Sequence, residues 1–344
     1  MNEPLNDDEK TLWQYLLTTI DNKRRAESKK CNVDDKEIDV EKEKKEVSLT
    51  FNSTIFETSH GMTTRAFLIN TLEDGQWISQ NVIDCWAAIL NYEEKKNNTS
   101  GKRRLWCYTT TIPDYVLKTK QTEQQAFTIL TSHLKEVVEC NNKMLELKEF
   151  NIIIIPMTER KHFYIICFDL ENTKVEVIDN MVSSRGFYRM SAERSFKENG
   201  TPSKVKNYMV GYLKNVKHPS AARMAAAPLT KKKLEWATSD NFNDCGVFAM
   251  RHMEMYKGSD VEFECGFSTQ KNIQDMQLQN MRMKIATKLL LSEANVYKAT
   301  VMYLARKAIQ NLEDERMREL LEKERAKQEK CWDTLSKWKN ADKV

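Results

Sequence analysis

Apolar residues along this chain fall into blocks of different period, separated by stretches that are almost wholly charged. The first block, "TLWQYLLTTI", is short and amphipathic and predicts a small terminal helix or docking piece. Residues 21–46 follow, where 18 of 26 side chains are charged, nine of each sign. Such a stretch has too little apolar surface to offset its ordering entropy, so a linker or a solvated helix is expected. From about residue 48 the texture changes. In "AFLINTLEDGQWISQNVIDCWAAILNYEEKK" the apolar positions 83, 86, 87, 89 and 90 keep helical spacing. Glu73-Asp74-Gly75 ahead of them reads as a turn that presents Trp77 at the helix entrance. A second helical pattern runs over 123–148.

The period then shortens to two. "FNIIIIPM" is a β-rich apolar run that its proline should end, "KHFYIICFDL" alternates, and "TKVEVIDN" follows the turn signal "ENT". Three short strands in a row predict an antiparallel or mixed sheet. Thr201 as N-cap and Pro202 in the first turn open a further helix. The basic segment 217–233 reads as a loop or insertion, and "LEWAT" as a last strand. A helix then runs from about Gly246 to a stop at Gly258. In the tail, residues 306–330 hold 15 charged side chains out of 25, with Asp314–Arg318 and Glu319–Lys323 at helix-stabilising spacing. A solvated helix is expected there, since clean heptads are missing.

Composition narrows the picture a little. With 344 residues, 40% of them hydrophobic, the chain can build a sizeable core. A net charge of +4, from 54 basic and 50 acidic side chains, gives no reason to expect nucleic acid or membrane as partner. The eight cysteines form no CxxC pair and no zinc-type grouping with histidine. The polar start and the absence of a long apolar run lead us to expect a soluble intracellular protein with reduced thiols.

Candidate chemistry sits in "SDNFNDCGVFAM", Ser239 to Met250. Cys245 falls where a helix should begin, and the free N–H groups of a helix start favour a thiolate. Gly246 removes a Cβ beside the sulfur, as though for a substrate backbone. Taken alone the signal is weak, because most cysteines in such a context are small buried hydrophobes. A nucleophile needs a base, and the base an orienter. His252 lies two helical turns on, about 10 Å away, too far to take the thiol proton. His60, His133 and His218 stand in ordinary contexts. His162 opens the strand "HFYIICF", and Asp179 ends the next one. Adjacent strands could hold that imidazole and carboxylate side by side.

The ordered set, strand with histidine, strand ending in aspartate, then "DCGVF" opening a helix, resembles the SUMO-specific (ubiquitin-like-protein-specific) cysteine proteases. "WISQNVI" at 77–83 is similar to that family's tryptophan entry motif. "DCGVFAMRHMEMY" is particularly similar to plant members, including copies carried by transposable elements. The resemblance spans about 50–300 and is weakest at 185–235. It implies an α+β, papain-like fold, with the cysteine on a central helix packed on a mixed or antiparallel sheet. It implies hydrolysis after a C-terminal Gly-Gly of a SUMO-like modifier, in precursors or conjugates. Cys245 is then the nucleophile, His162 the base and acid, and Asp179 the orienter. Trp77 and Phe163 would line the Gly-Gly channel, and a flat aromatic lid suits a dipeptide without side chains. No metal or cofactor, no nucleic acid and no membrane is implied; the expected state is a monomer, in the nucleus or cytoplasm. The organisation expected is a flexible charged extension over 1–47, a protease domain over 48–300 and a charged C-terminal helix over 301–344.

Two positions depart from the family pattern. Six residues before the cysteine, where the family carries an oxyanion-hole glutamine, stands Ser239. Losing one such donor typically costs about 10²–10³ in rate. The backbone N–H of Cys245 remains, with Asn241 and Asn243 as possible substitutes. Phe163 replaces the family's usual tryptophan. An active de-conjugating protease is therefore set against a catalytically impaired member that binds a ubiquitin-like protein. An acyltransferase on the same fold is a third, weaker reading.

Overall fold

The structure, a computed structural model, describes residues 3–30, 52–98, 103–119, 121–139, 141–181, 200–239, 241–312 and 314–341. The chain divides into two compact units, Met1–Asp74 with Lys271–Val344, and Gly75–Gln270. The division does not follow the expected boundaries at 47 and 300.

The first unit interleaves the two ends of the chain. Residues 7–30 form one helix, Asp7–Lys30, where a flexible extension was expected; 31–51 lie outside the described residues. Its start is fixed reciprocally: Glu9 N–H donates to Asn6 Oδ1 at 2.9 Å, and Asn6 N–H to Glu9 Oε2 at 2.8 Å. Leu12, Trp13, Leu16 and Ile20 make its buried stripe. It packs on the helices Lys271–Leu291 and Lys298–Gln310, where Arg306 meets Asp8 at 2.8 Å. A small antiparallel pair, β1 (Thr54–Glu57) and β2 (Thr63–Arg65), belongs here too. Asn295 ties β1 down, donating to Ile55 O at 3.1 Å and accepting from Glu57 N–H at 3.1 Å. The last helix, Glu315–Ala341, is largely solvated but buries Met317, Leu321 and Leu335.

The second unit is α+β. Five strands, β3 (Arg104–Trp106), β4 (Ile152–Glu159), β5 (His162–Asp169), β6 (Lys174–Ile178) and β7 (Leu229–Lys231), lie side by side in that order. The two outer pairings are parallel and the two inner ones antiparallel, so the sheet is mixed. β4 does not stop at Pro156; it continues to Glu159, paired with β5 throughout. β3 pairs only with Ile152–Ile154, so at Pro156 there is no ladder bond on that side to lose. The last strand is Leu229–Lys231, inside the basic segment expected to be a loop; "LEWAT" forms a turn with one isolated bridge, Thr238 to Met181. A short helix, Ala221–Ala226, also lies in that segment. The helical pattern over 123–148 is a helix over Glu123–Val137, followed by a short 3-10 turn at Met144–Glu146. The helix beginning at Thr201 is capped by Gly200, one residue earlier than expected.

The helix Cys245–Met255 packs on β5 and against the helix Gln80–Asn97. Val247, Phe248 and Met250 are wholly buried. Its far end is anchored by side chains that satisfy carbonyls. Trp86 donates to Met250 O at 3.1 Å and Trp106 to Met253 O at 2.7 Å. Arg104 reaches Glu254 O and Tyr256 O, both at 3.2 Å, which places a cation at the helix's negative end. Anchoring one end of a helix fixes where its other end, and Cys245, must lie.

Candidate active site

β4 and β5 are joined by a two-residue turn in which Arg160 (φ 52°) and Lys161 (φ 63°) are both left-handed. This matches the twist of a hairpin, at a steric cost for residues with a Cβ. Trp77 holds the turn, its indole N–H donating to Lys161 O at 2.7 Å. His162 is the first residue after it.

The strand register does the next step. β5 and β6 pair with Ile165 opposite Ile178, so Asp179, one residue on, lies opposite Tyr164. Side chains two apart on a strand share a face, and so His162 and Asp179 are diagonal neighbours on one face. His162 Nε2 is 2.7 Å from Asp179 Oδ1. The same oxygen accepts from Met181 N–H at 2.9 Å, and Asp179 Oδ2 receives Lys231 Nζ at 3.3 Å.

Cys245 enters from the helix start. Nδ1 is the ring nitrogen of His162 that Asp179 does not engage, and Cys245 lies close enough to the ring to raise its proton affinity. The sulfur also lies 3.9 Å from Lys161 O and 3.8 Å from Phe242 O. Asp244 makes no side-chain cap, so it does not occupy the helix's first N–H groups. The electrostatics follow from these contacts. Burial alone would lower the proton affinity of His162, but the hydrogen bonds and charges of Asp179 and Cys245 outweigh it and raise its pKa to about 9. Burial opposes ionisation of Asp179; the His162 bond and charge, Lys231 and the Met181 N–H win, holding it below the usual carboxylate range. The arrangement can therefore hold a proton on the His162 ring, oriented by a permanent carboxylate.

The remaining expected residues are placed as follows. Trp77 stacks on Phe163 with ring centroids 4.8 Å apart and 21° between planes. Phe163 is 1% exposed, beneath the indole rather than facing an open channel. Cys245 is itself 0% exposed, so this arrangement is closed over the sulfur. Gly246 is needed for packing, which corrects the expected role of a substrate approach: a Cβ there would lie 2.9 Å from Ile78 Cβ and 3.4 Å from the Phe163 ring. Ser239 and Asn243 are exposed. Asn241 is engaged twice with Asp244, its Nδ2 donating to Oδ2 at 2.8 Å and its Oδ1 accepting from the N–H at 3.1 Å. His252 is buried and accepts from the Trp236 indole at 3.3 Å, and burial pushes its pKa down to about 3. Sequence reasoning missed Lys231 and Ile78. The first lies in a run of three lysines and the second is one apolar residue among many.

The model of the Ulp1 protease family, C-terminal catalytic domain, matches residues 76–294, well over half of the chain. The chain belongs to the Ulp1 protease family. It is thus a cysteine-type protease by family. Among solved structures, the Ulp1-family fold recurs in the C-terminal Ulp1 protease domain in complex with Smt3, the yeast ortholog of SUMO. That match has a TM-score of 0.53 and 13% identity, over 86% of this chain and 99% of the other. Ulp1 with its catalytic cysteine oxidised to a sulfenic acid matches with a TM-score of 0.52 and 13% identity, over 85% and 98%. The sulfinic acid form matches with a TM-score of 0.51, again at 13% identity over 85% and 98%. At that identity these likenesses establish the fold. No curated protein sequence matches this Ulp1-family chain.

Proposed function

We propose that this protein cleaves after the C-terminal Gly-Gly of a SUMO-like modifier, at a peptide or isopeptide bond. The observation that carries the reading is the convergence of Cys245, His162 and Asp179 from a helix start and two adjacent strands. Cys245 attacks the glycine carbonyl carbon. His162 takes the thiol proton, holds it as imidazolium and gives it to the leaving amine; water then releases the acyl group with His162 again as base. Asp179 keeps the ring oriented through Nε2. The developing oxyanion meets the backbone N–H of Cys245, with Ser239 or Asn243 as the side-chain donor.

Trp77 is the lid. With its ring on Phe163 at 4.8 Å, no main chain fits between them, so substrate entry requires the indole to lift. A side-chain-free Gly-Gly is the sequence that passes under such a lid most easily. We place the protein in the nucleus or cytoplasm, acting as a monomer on precursors, conjugates or both.

A second reading has support of its own. Ser239 is exposed and Asn241 is engaged with Asp244, so side-chain help at the oxyanion is thin. A slow or inactive member would bind a ubiquitin-like protein without turning it over. The deciding experiment treats the full chain with a panel of ubiquitin-like proteins bearing a C-terminal electrophile, beside Cys245→Ala. A covalent adduct with SUMO, absent in the variant, followed by turnover of a SUMO conjugate, supports the protease. Binding without adduct or turnover supports the second reading.

A further inference from the structure

Lys231 stands on β7, the strand on the far side of β6 from His162. β6 and β7 pair with Val177 opposite Lys231, so Lys231 shares a face with Val177 and, two residues on, with Asp179. His162, Asp179 and Lys231 therefore form a row across three adjacent strands. The ammonium is 3.3 Å from Asp179 Oδ2 and 3.0 Å from Met181 O. The carboxylate is thus divided, with Oδ1 for the imidazole and Oδ2 for the lysine. The neighbouring Lys232 serves a different carboxylate, Glu176, at 3.5 Å.

We propose that Lys231 is a positioning residue of the reaction: it pins the Asp179 carboxylate edge-on to His162 and offsets its charge, so that the imidazolium can still release its proton to the leaving amine. This rests on the thiol-protease reading above. The chemical need is plain. A buried carboxylate with one imidazolium and no second cation over-stabilises that imidazolium, and proton delivery then slows. A carboxylate with one free oxygen can also rotate about its Cβ–Cγ bond, whereas a lysine bound to both Asp179 and a main-chain carbonyl prevents that. Among the described residues, few other ionisable groups face this row. Cys245 comes from the nucleophile helix, and so does His252, held neutral by burial. Glu159 of β4 pairs across from His162 and meets Tyr164 OH at 3.4 Å, and Lys161 precedes the ring in the turn. None of these bonds Asp179 Oδ2 as Lys231 does.

The test uses the full chain, wild type, Lys231→Met and Lys231→Arg, with ¹³C-labelled histidine. The titration midpoint of the His162 ring is followed by NMR and set beside kcat, KM and thermal midpoint. In Lys231→Met the ring's proton affinity is expected to rise roughly threefold to tenfold, as loss of one charge several ångströms away requires. Its kcat should fall about tenfold with KM little changed, and Lys231→Arg should restore both. An unmoved ring midpoint in Lys231→Met overturns the proposal, whatever happens to turnover. So does an equal loss of kcat in both variants, since that marks a packing role. Failure of the wild type on every modifier substrate would sink the function proposed above but leave the ring titration to decide on Lys231.

Discussion

At the scale of single residues, the site is decided by which groups share a proton. The His162 ring is raised from the ordinary imidazole value of 6.5 to about 9, against burial, by Asp179 and Cys245 together. Two outcomes follow. Cys245→Ala removes one of the two partners, so the ring midpoint should drop in an NMR titration yet stay above 6.5, because Asp179 remains. The raised folded value also means that His162 contributes stability fully below about pH 6.5 and loses it as pH climbs through about 9. The urea midpoint should therefore fall across that window, and the fall should be smaller in His162→Gln. Trp77→Phe tests the lid by another route. It keeps a ring over Phe163 but removes the bond to Lys161 O, so the strained turn before His162 loses its tether. A drop of about fivefold to tenfold in kcat/KM is expected, for one lost bond of about 1 kcal/mol. An unchanged value would mean the turn holds itself.

At the scale of elements, the helix start is placed by close packing, since Asp244 ahead of it makes no side-chain cap. Gly246 sits where a Cβ would collide with Ile78 and press on Phe163. Gly246→Ala should force the helix away from the Trp77 segment, costing about 1–3 kcal/mol. A thermal melt of the variant reads the loss, and an unchanged midpoint would show that Ile78 moves aside freely. The strands carried legible signals: the alternation in "HFYIICF" and "VEVI" marks β5 and β6, and His162 and Asp179 stand at their ends. β7 carried none. "LTK" is three residues long in a basic stretch, and it is a strand only because the edge of β6 offers it hydrogen bonds. β4 runs through Pro156 for the complementary reason, that no neighbour claims the missing N–H.

At the scale of the whole molecule, the unit Met1–Asp74 with Lys271–Val344 is built from both ends of the chain. The helix Asp7–Lys30 buries Leu12, Trp13, Leu16 and Ile20, and a chain cut to 48–300 has neither it nor the helix after Lys298 in full. The stripe that these helices cover on Lys271–Leu291 would be exposed, so the shortened chain should aggregate or melt far below the full one. Size-exclusion chromatography and a thermal melt compare them; a monomeric, equally stable 48–300 fragment would show that the interleaved helices are dispensable.

What the sequence by itself determined is chemical and local. A cysteine before a glycine at a helix start, a histidine opening an alternating strand and an aspartate closing the next can be found because residue type and period are written in order along the chain. That amphipathic residues 11–20 want a helix is equally local. Which charged and small residues matter was decided only by the tertiary structure. Lys231 is one of three successive lysines until the register of β7 sets it beside Asp179. Gly246 looks like space for a substrate until Ile78 and Phe163 fill that space. Asn241 looks like a free donor until Asp244 takes both ends of its amide. In each case the role is set by a partner distant in sequence or by a loop geometry, and no periodicity encodes which partner a side chain will meet.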